Sequence, residues 1–161
     1  TTALKGDKAD AKDVKEVVDW MSRLNRDAAL LASEFNLKGG TDVTGFSLLG
    51  HAMEMADASK VGMEFTISDI PFISGAQKYA EMWTFPGGAS DNRLYFGPRV
   101  RFTANIPEEK QMLLFDPQTS GGLLLAIPEP KLNAFLERAT ELDQPAWTIG
   151  DVVDGSGIDV V

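Results

Sequence analysis

The chain has 161 residues, of which 24 are acidic and 15 basic, and a formal net charge of −9, so we expect no binding to nucleic acid through its phosphates. It has no cysteine, which excludes disulfides, zinc–thiolate sites and a cysteine nucleophile among these residues. The longest apolar run, Leu123–Ile127, is far shorter than the roughly 20 residues that cross a bilayer, and the amino-terminal stretch is polar. We therefore expect a cytoplasmic protein without membrane contact.

The first predicted element is one long amphipathic helix from about Asp10 to Phe35, with Asp10 as its N-cap. Its apolar residues recur at alternating spacings of three and four, which places them on one face: Val14, Val17, Met21, Leu24, Ala28, Leu31 and Phe35. The pattern is short for a coiled coil, so a helix packed on a sheet is the favoured interpretation.

The middle of the chain alternates between turns and short periodic segments. Asn36–Gly40 predicts a break, after which Thr44 can cap a second helix. Val61–Ile67 has the strict alternation of a half-buried strand, and Ile73–Trp83 has helical spacing. Phe85–Phe102 contains strong turn signals and is predicted to be irregular.

The last third predicts two further strands and a helix. Met112–Phe115 leads into the loop Asp116–Gly122, and the elements that follow are a buried central strand at Leu123–Ile127, a helix at Lys131–Leu142, a strand at Trp147–Val153 and an apolar tail at Ile158–Val161. The three tryptophans are predicted to lie in the core. Together these elements predict one α+β (layered α/β) domain over residues 1–161, with a mixed sheet covered by helices.

Asp42 is the first candidate for chemistry, because it lies between hydroxyl residues and glycines just before a predicted helix. Magnesium is held in proteins by one or two carboxylates together with substrate phosphates, and Asp42 fits that role. A helix cap made by the same carboxylate is the alternative, and the local pattern alone favours the cap.

The segment Asp116–Gly122 is the second candidate. Its proline, small polar residues and paired glycines can arrange successive backbone N–H groups around an anion, or can form a turn that satisfies its own hydrogen bonds. These two interpretations are equally supported by the residues. The segment is not a P-loop, because no Gly-Lys-Ser/Thr closes it.

Two weaker candidates complete the set. The stretch Gly87–Arg93 brings small residues before an amide and a guanidinium, which suits contact with an anion, but a solvated loop is favoured. His51 is the only histidine, and without a second ligand at suitable spacing it is interpreted as a helix residue satisfied by hydrogen bonds.

Two long motifs, TDVTGFSLLGH at Thr41–His51 and DPQTSGG at Asp116–Gly122, closely resemble the selenophosphate synthetase (selenide, water dikinase) family. That family shares a superfamily with aminoimidazole ribonucleotide synthetase and thiamine-monophosphate kinase. The resemblance is colinear over nearly the whole chain and includes Met21–Asn25, Gly87-Gly88 with Asn92-Arg93, and Ile149–Val153.

The resemblance implies a reaction in which ATP, selenide and water give selenophosphate, AMP and orthophosphate with Mg²⁺. It implies that residues 1–161 are the carboxy-terminal domain of a two-domain, homodimeric enzyme, with a fold like that of aminoimidazole ribonucleotide synthetase. The amino-terminal domain of the same chain would bind most of the ATP and carry the nucleophile and lysine, so no catalytic residue is expected here. The lack of an initiator Met likewise leads us to expect a fragment, inactive alone.

Within this domain the resemblance implies that Asp42 is a metal ligand, which overrides the local preference for a cap. The resemblance further implies a nucleotide and phosphate cleft lined by Thr41, Thr44, Gly45, Asn92, Asp116, Gln118, Thr119, Ser120 and Gly121.

There are two departures from the family pattern. Ser47 stands where glycine is usual, and Gly39-Gly40 lies where a small residue and a cysteine are common. Two alternatives remain open: another ATP-dependent member of the same superfamily with a different acceptor, and a non-catalytic paralogue acting as a binding module.

Overall fold

A computed structural model describes residues 1–103 and 105–161. Its helices are α1 (Thr2–Lys5), α2 (Ala11–Ser22), α3 (Arg26–Glu34), α4 (Ser47–Ser59), α5 (Ala76–Glu81), α6 (Gly87–Phe96), α7 (Glu108–Leu113) and α8 (Glu129–Glu141). Its strands are β1 (Gly39–Asp42), β2 (Gly62–Phe65), β3 (Val100–Phe102), β4 (Leu123–Ala126), β5 (Gly150–Val153) and β6 (Gly157–Val160).

The strands form two separate sheets. Four of them lie in the order β3-β6-β2-β5, in which β6 runs parallel to both β2 and β3, and β5 runs antiparallel to β2. The other two, β1 and β4, form an antiparallel ribbon in which Asp42 lies opposite Leu123. The predicted mixed sheet covered by helices is confirmed, and the ribbon is an additional feature.

Helix α4 organises the main core. Its buried face is formed by Leu49, Ala52, Met53 and Ala56, all with no exposed surface, and it packs against β2, β6 and the ribbon strand β1. The strands contribute Met63 and Phe65 from β2 and Ile158 and Val160 from β6. Each such side chain contributes about 1.5–3 kcal/mol by leaving water, so this region supplies most of the apolar stabilisation.

A second, smaller apolar cluster covers the outer part of the ribbon. It joins Leu31 of α3 and Phe135 and Ala139 of α8, against which Leu125 of β4 packs. Phe35 meets Phe135 edge-on, with ring centroids 5.3 Å apart. The ribbon is thereby held between α4 on one side and the α3–α8 pair on the other.

The predicted helix from Asp10 to Phe35 is in fact two helices, α2 and α3. Arg23 adopts an extended backbone with ψ 121°, and its guanidinium donates to the carbonyl of Asp143 at 2.7 Å. Asn25, at the start of α3, donates to the carbonyl of Gly121 at 3.0 Å. These long-range hydrogen bonds stabilise the break between the two helices. The apolar periodicity does not reveal the break, because it continues in phase across it.

Several other segments also differ from prediction. Gly39-Gly40, predicted as a turn, belongs to β1, and most of the irregular stretch Phe85–Phe102 is α6 followed by a 3-10 turn and β3. Leu123–Ile127 is not a central strand but the second strand of the ribbon. The apolar tail is β6, which is central in the four-stranded sheet.

The tryptophans were wrongly predicted to be core residues. Trp20, Trp83 and Trp147 are 41%, 55% and 50% exposed. Trp20 and Trp147 lie against each other on the surface, with ring centroids 6.1 Å apart. Among the described residues we find no helical segment with the length and hydrophobicity required for a bilayer crossing.

Candidate functional site

The two motif segments lie side by side where the ribbon ends. The N–H of Val43, directly after Asp42, donates to the carbonyl of Gly122 at 2.9 Å. The N–H of Gln118 donates to the carbonyl of Thr44 at 3.1 Å. These two bonds extend the β1–β4 pairing beyond the strands, so the turn after β1 and the loop before β4 form one continuous surface. We call this surface the motif junction, defined by residues 41–46 and 116–122.

Gly121 permits the closest backbone approach in the motif junction. A Cβ at this position would lie 2.1 Å from the carbonyl oxygen of Val43, a distance that atoms cannot adopt without movement of the backbone. The adjacent Gly122 has open space around the same position. Of the paired glycines, only Gly121 is therefore required for packing.

Asn92 ties α6 to the first segment of the motif junction and to Phe115, the residue directly before the second segment. The residue is 7% exposed, and its side-chain nitrogen donates to the carbonyl of Gly45 at 3.0 Å and to that of Phe115 at 3.1 Å. Both donor hydrogens of the amide are thus used to hold backbone. Arg93, the other polar residue considered for anion contact, pairs with Glu108 at 2.8 Å. The solvated loop favoured at Gly87–Arg93 is wrong, because these residues form the start of α6.

Thr44 does not cap α4 as predicted. The helix begins at Ser47, and the Thr44 carbonyl accepts from the N–H of Ser47 at 2.9 Å. The Thr44 hydroxyl instead lies 3.0 Å from Nε2 of His51. Nδ1 of His51 lies 3.2 Å from a carboxylate oxygen of Glu54. The interpretation of His51 as a hydrogen-bonded helix residue is confirmed.

Ser47 lies at a position that suits glycine. Its φ is +73°, in the left-handed region, and it is fully buried. A side chain in this conformation costs roughly 1–2 kcal/mol relative to the right-handed region. The Ser47 hydroxyl accepts from the N–H of Gly50 at 3.3 Å, which offsets part of that cost.

The polar side chains of the motif junction differ in exposure. Asp42, Thr119 and Ser120 are exposed, whereas Thr41 and Gln118 are half-buried. Within residues 1–103 and 105–161, no group of three or more acidic or histidine side chains is arranged to hold a metal ion. Asp42 is therefore a single exposed carboxylate with hydroxyls nearby in sequence. Such oxygen donors suit Mg²⁺ only if further ligands come from elsewhere.

Asp116 begins the second segment and is partly buried. Burial raises the pKa of its carboxyl from 3.8 to about 6, because the charged form loses contact with water. The structure thus places a carboxyl that is readily protonated at the opposite end of the loop from Gly121.

An open groove of about 630 Å³ runs along the ribbon and reaches Asp42. It lies between α3 and the ribbon, and its lining includes Asn25, Lys38, Thr41 and Leu123. Sequence reasoning missed Asn25 and Lys38 as residues around the site. Asn25 belongs to the colinear segment Met21–Asn25, but the pattern does not show that its amide reaches the loop before β4.

Comparisons with known proteins identify the family of this chain. Residues 2–161 match the family model described as AIR synthase related protein, C-terminal domain. The chain belongs to this family. It is 42% identical over 153 residues to selenide, water dikinase of Clostridium botulinum (strain Eklund 17B / Type B), a match that covers 95% of this chain and 44% of that protein. It is 41% identical over 160 residues to selenide, water dikinase of Pseudomonas aeruginosa, covering 99% and 46%.

This family member thus spans less than half the length of the curated relatives that it matches. Solved structures support the fold at lower sequence identity. Thiamine-monophosphate kinase from Stenotrophomonas maltophilia K279a aligns with a TM-score of 0.53 at 17% identity, covering 80% of this chain and 32% of that one. The structure of tt0281 from Thermus thermophilus aligns with a TM-score of 0.54 at 21% identity, covering 86% and 35%.

Proposed function

We propose that residues 1–161 are the carboxy-terminal domain of a selenide, water dikinase, which makes selenophosphate, AMP and orthophosphate from ATP, selenide and water. The observation that carries the proposal is the motif junction. Two segments far apart in sequence, both matching the family pattern, meet at an exposed carboxylate beside an open groove. The similarity to curated selenide, water dikinases over nearly the whole chain supports the same activity.

The domain would complete a nucleotide site whose larger part lies in an amino-terminal domain of the same chain. Asp42 supplies one carboxylate, and Mg²⁺ requires about six oxygen ligands in octahedral geometry, which substrate phosphates, water and other carboxylates provide. When bound, the metal would neutralise charge on the transferred phosphoryl group. Thr41 and Thr44 would lie beside this ligand, and Asp116, Gln118, Thr119, Ser120 and Gly121 would form the neighbouring wall.

Each remaining residue of the proposed cleft has a structural task. Asn92 holds the carbonyl of Gly45, which keeps the first segment in place while its own amide faces inward. Gly45 is exposed and has open space around it, so a phosphate or an opposing backbone can approach it. We propose that the complete enzyme is a cytoplasmic homodimer and that the isolated domain is inactive, because one carboxylate does not make a metal site.

The test is the rate of selenide-dependent selenophosphate formation by the full-length protein, which phosphorus NMR measures. Asp42→Asn should lower turnover by at least about 100-fold, because losing one electrostatic contact to a transition state typically has an effect of this size. The matched control is Asp154→Asn in the exposed turn between β5 and β6, which should keep the wild-type rate. Circular dichroism should show the same fold for both variants.

Three outcomes would contradict the proposal. Selenophosphate production by residues 1–161 alone would remove the need for a second domain. An unchanged rate and magnesium dependence in Asp42→Asn would remove its role as a ligand. ATP turnover that does not depend on selenide would favour another member of the superfamily.

A further inference from the structure

The hydrogen bond between Thr44 and His51 has a direction that the surrounding groups determine. Thr44 Oγ1 and His51 Nε2 are 3.0 Å apart, and either atom could in principle donate. The N–H of Phe46 also points at Nε2, at 3.4 Å, and a backbone N–H can only donate. On the other side of the ring, Nδ1 faces the carboxylate of Glu54 at 3.2 Å, and an ionised carboxylate can only accept.

Both neighbours therefore place the ring proton of a neutral His51 on Nδ1. Nε2 then accepts a hydrogen bond, and the Thr44 hydroxyl donates it. A proton on Nε2 would instead face the N–H of Phe46 and leave the Glu54 carboxylate without a donor. The His51 side chain is only 12% exposed, so water cannot readily replace these partners.

We propose that His51 is a positioning residue that commits the Thr44 hydroxyl hydrogen to the His51 ring, so that Thr44 Oγ1 offers only lone pairs to any further partner. Thr44 would then accept a hydrogen bond, and the group that it binds must be a donor. A water molecule held by the metal ion meets that requirement, whereas the oxygen of an ionised phosphate does not. The identity of this ligand rests on the function proposed above, but the direction of the hydrogen bond does not.

Thr44 is well placed for such a role because its carbonyl is also fixed. Its carbonyl receives the N–H groups of both Ser47 and Gln118, so the residue connects α4 with the second segment of the motif junction. It lies two residues after Asp42, the proposed metal ligand. An acceptor at this position would orient a metal-bound water without adding a further negative charge.

The direction of the bond can be tested by NMR on the chain itself. His51 is the only histidine, so selective ¹⁵N-histidine labelling gives a single imidazole spectrum. We expect Nδ1 to show the signature of a protonated nitrogen and Nε2 that of an unprotonated one. Thr44→Val should shift the Nε2 resonance by removing its hydroxyl donor, and Thr44→Ser should restore it. A proton on Nε2 at neutral pH, or an imidazolium, would overturn the proposal.

The ligand class can be tested by kinetics of the full-length protein. Thr44→Val should raise the Mg²⁺ concentration for half-maximal rate about tenfold, the scale of one hydrogen bond to a charged partner, while the KM for ATP at saturating Mg²⁺ stays constant. Thr44→Ser should restore the magnesium dependence. A raised KM for ATP with unchanged magnesium dependence would mean that Thr44 donates to phosphate, and would overturn the assignment. If the wild-type protein made no selenophosphate, the proposed function would fail and the NMR result alone would decide the bond direction.

Discussion

The four-stranded sheet and the β1–β4 ribbon both pack against α4 but are held by different interactions. The sheet covers the apolar face of α4 with fully buried side chains such as Val160 and Ile158. The motif junction at the end of the ribbon is held by backbone hydrogen bonds, by the Asn92 amide and by the close approach of Gly121. One region thus supplies stability that does not depend on particular polar groups, while the other keeps polar groups exposed in a defined geometry.

This difference shows how one helix can serve both regions. The inward face of α4 contributes Leu49 and Met53 to the core, and the same helix carries His51, which reaches back to Thr44. The geometry of the motif junction therefore depends on the packing of α4, whereas the packing of α4 depends little on the exposed side chains of the junction. Substitutions that separate the two regions can test this asymmetry.

The largest effect on stability is expected from Leu49→Ala. Leu49 has no exposed surface, so its truncation leaves a cavity in the main core and should lower the free energy of unfolding by about 3 kcal/mol. Leu94→Ala is the matched control, because Leu94 also lies on a helix but is 80% exposed, and it should change stability by less than about 0.5 kcal/mol. Urea denaturation followed by circular dichroism measures both. Equal losses would show that burial around α4 does not dominate the stability of the fold.

A smaller effect is expected from Gly121→Ala, which acts on the motif junction. The new methyl group would meet the carbonyl of Val43 and force the two segments apart, at a cost of about 2 kcal/mol. Gly122→Ala is the control at the next position, where space is open. Because the strain falls on the junction, hydrogen exchange at the amides of Val43 and Gln118 should accelerate more than at amides of β2. Similar behaviour of the two alanine variants would contradict the proposed close contact.

The sequence predicted the elements with a clear apolar periodicity better than the glycine strand of the ribbon, for a physical reason. Alternation at Val61–Ile67 and helical periodicity at Lys131–Leu142 arise because one face of each element is buried against a core. Both elements are found close to the predicted bounds. The glycines of β1 have no side chains and therefore show no apolar pattern that would indicate burial. A Cβ at Gly40 would lie 2.8 Å from the side-chain end of Leu125, a residue far along the chain, which would have to shift. That contact is invisible in local patterns.

The site was predicted from motifs rather than from geometry. The motifs located Asp42 and the loop from Asp116, but they could not show that Asn92 lies on a helix and holds two carbonyls, or that Asn25 reaches Gly121. These contacts join residues separated by many positions in sequence. The roles of Asp42 and the cleft residues toward metal and nucleotide stay predictions.

The smallest effect is expected from Asp116→Asn and appears as a change in pH dependence. The folded-state pKa of Asp116 is raised from 3.8 to about 6, so the folded protein holds this proton more tightly than the unfolded chain does. Its contribution to stability is therefore present below about pH 4 and is lost as the pH rises toward and through 6. At pH 7 the charged carboxylate destabilises the fold, and the neutral amide should be more stable than wild type by about 1 kcal/mol, reduced by the partial exposure of the group.

The pKa values of other carboxylates are lowered by folding, whereas that of Asp116 is raised. Comparing Asp116→Asn with the wild-type protein therefore isolates the effect of Asp116. A hydrogen bond from Lys78 lowers the pKa of Asp10, and one from Arg101 lowers the pKa of Asp159, so their stabilisation is lost at low pH in both proteins. Urea unfolding at pH 4 and pH 7 should therefore show a stability difference between Asp116→Asn and wild type only at pH 7. A difference of the same size at both values would mean that Asp116 acts through hydrogen bonding. In that case the motif junction would not contain a carboxyl strained by burial, and the contrast with the apolar sheet region would be weaker than the structure indicates.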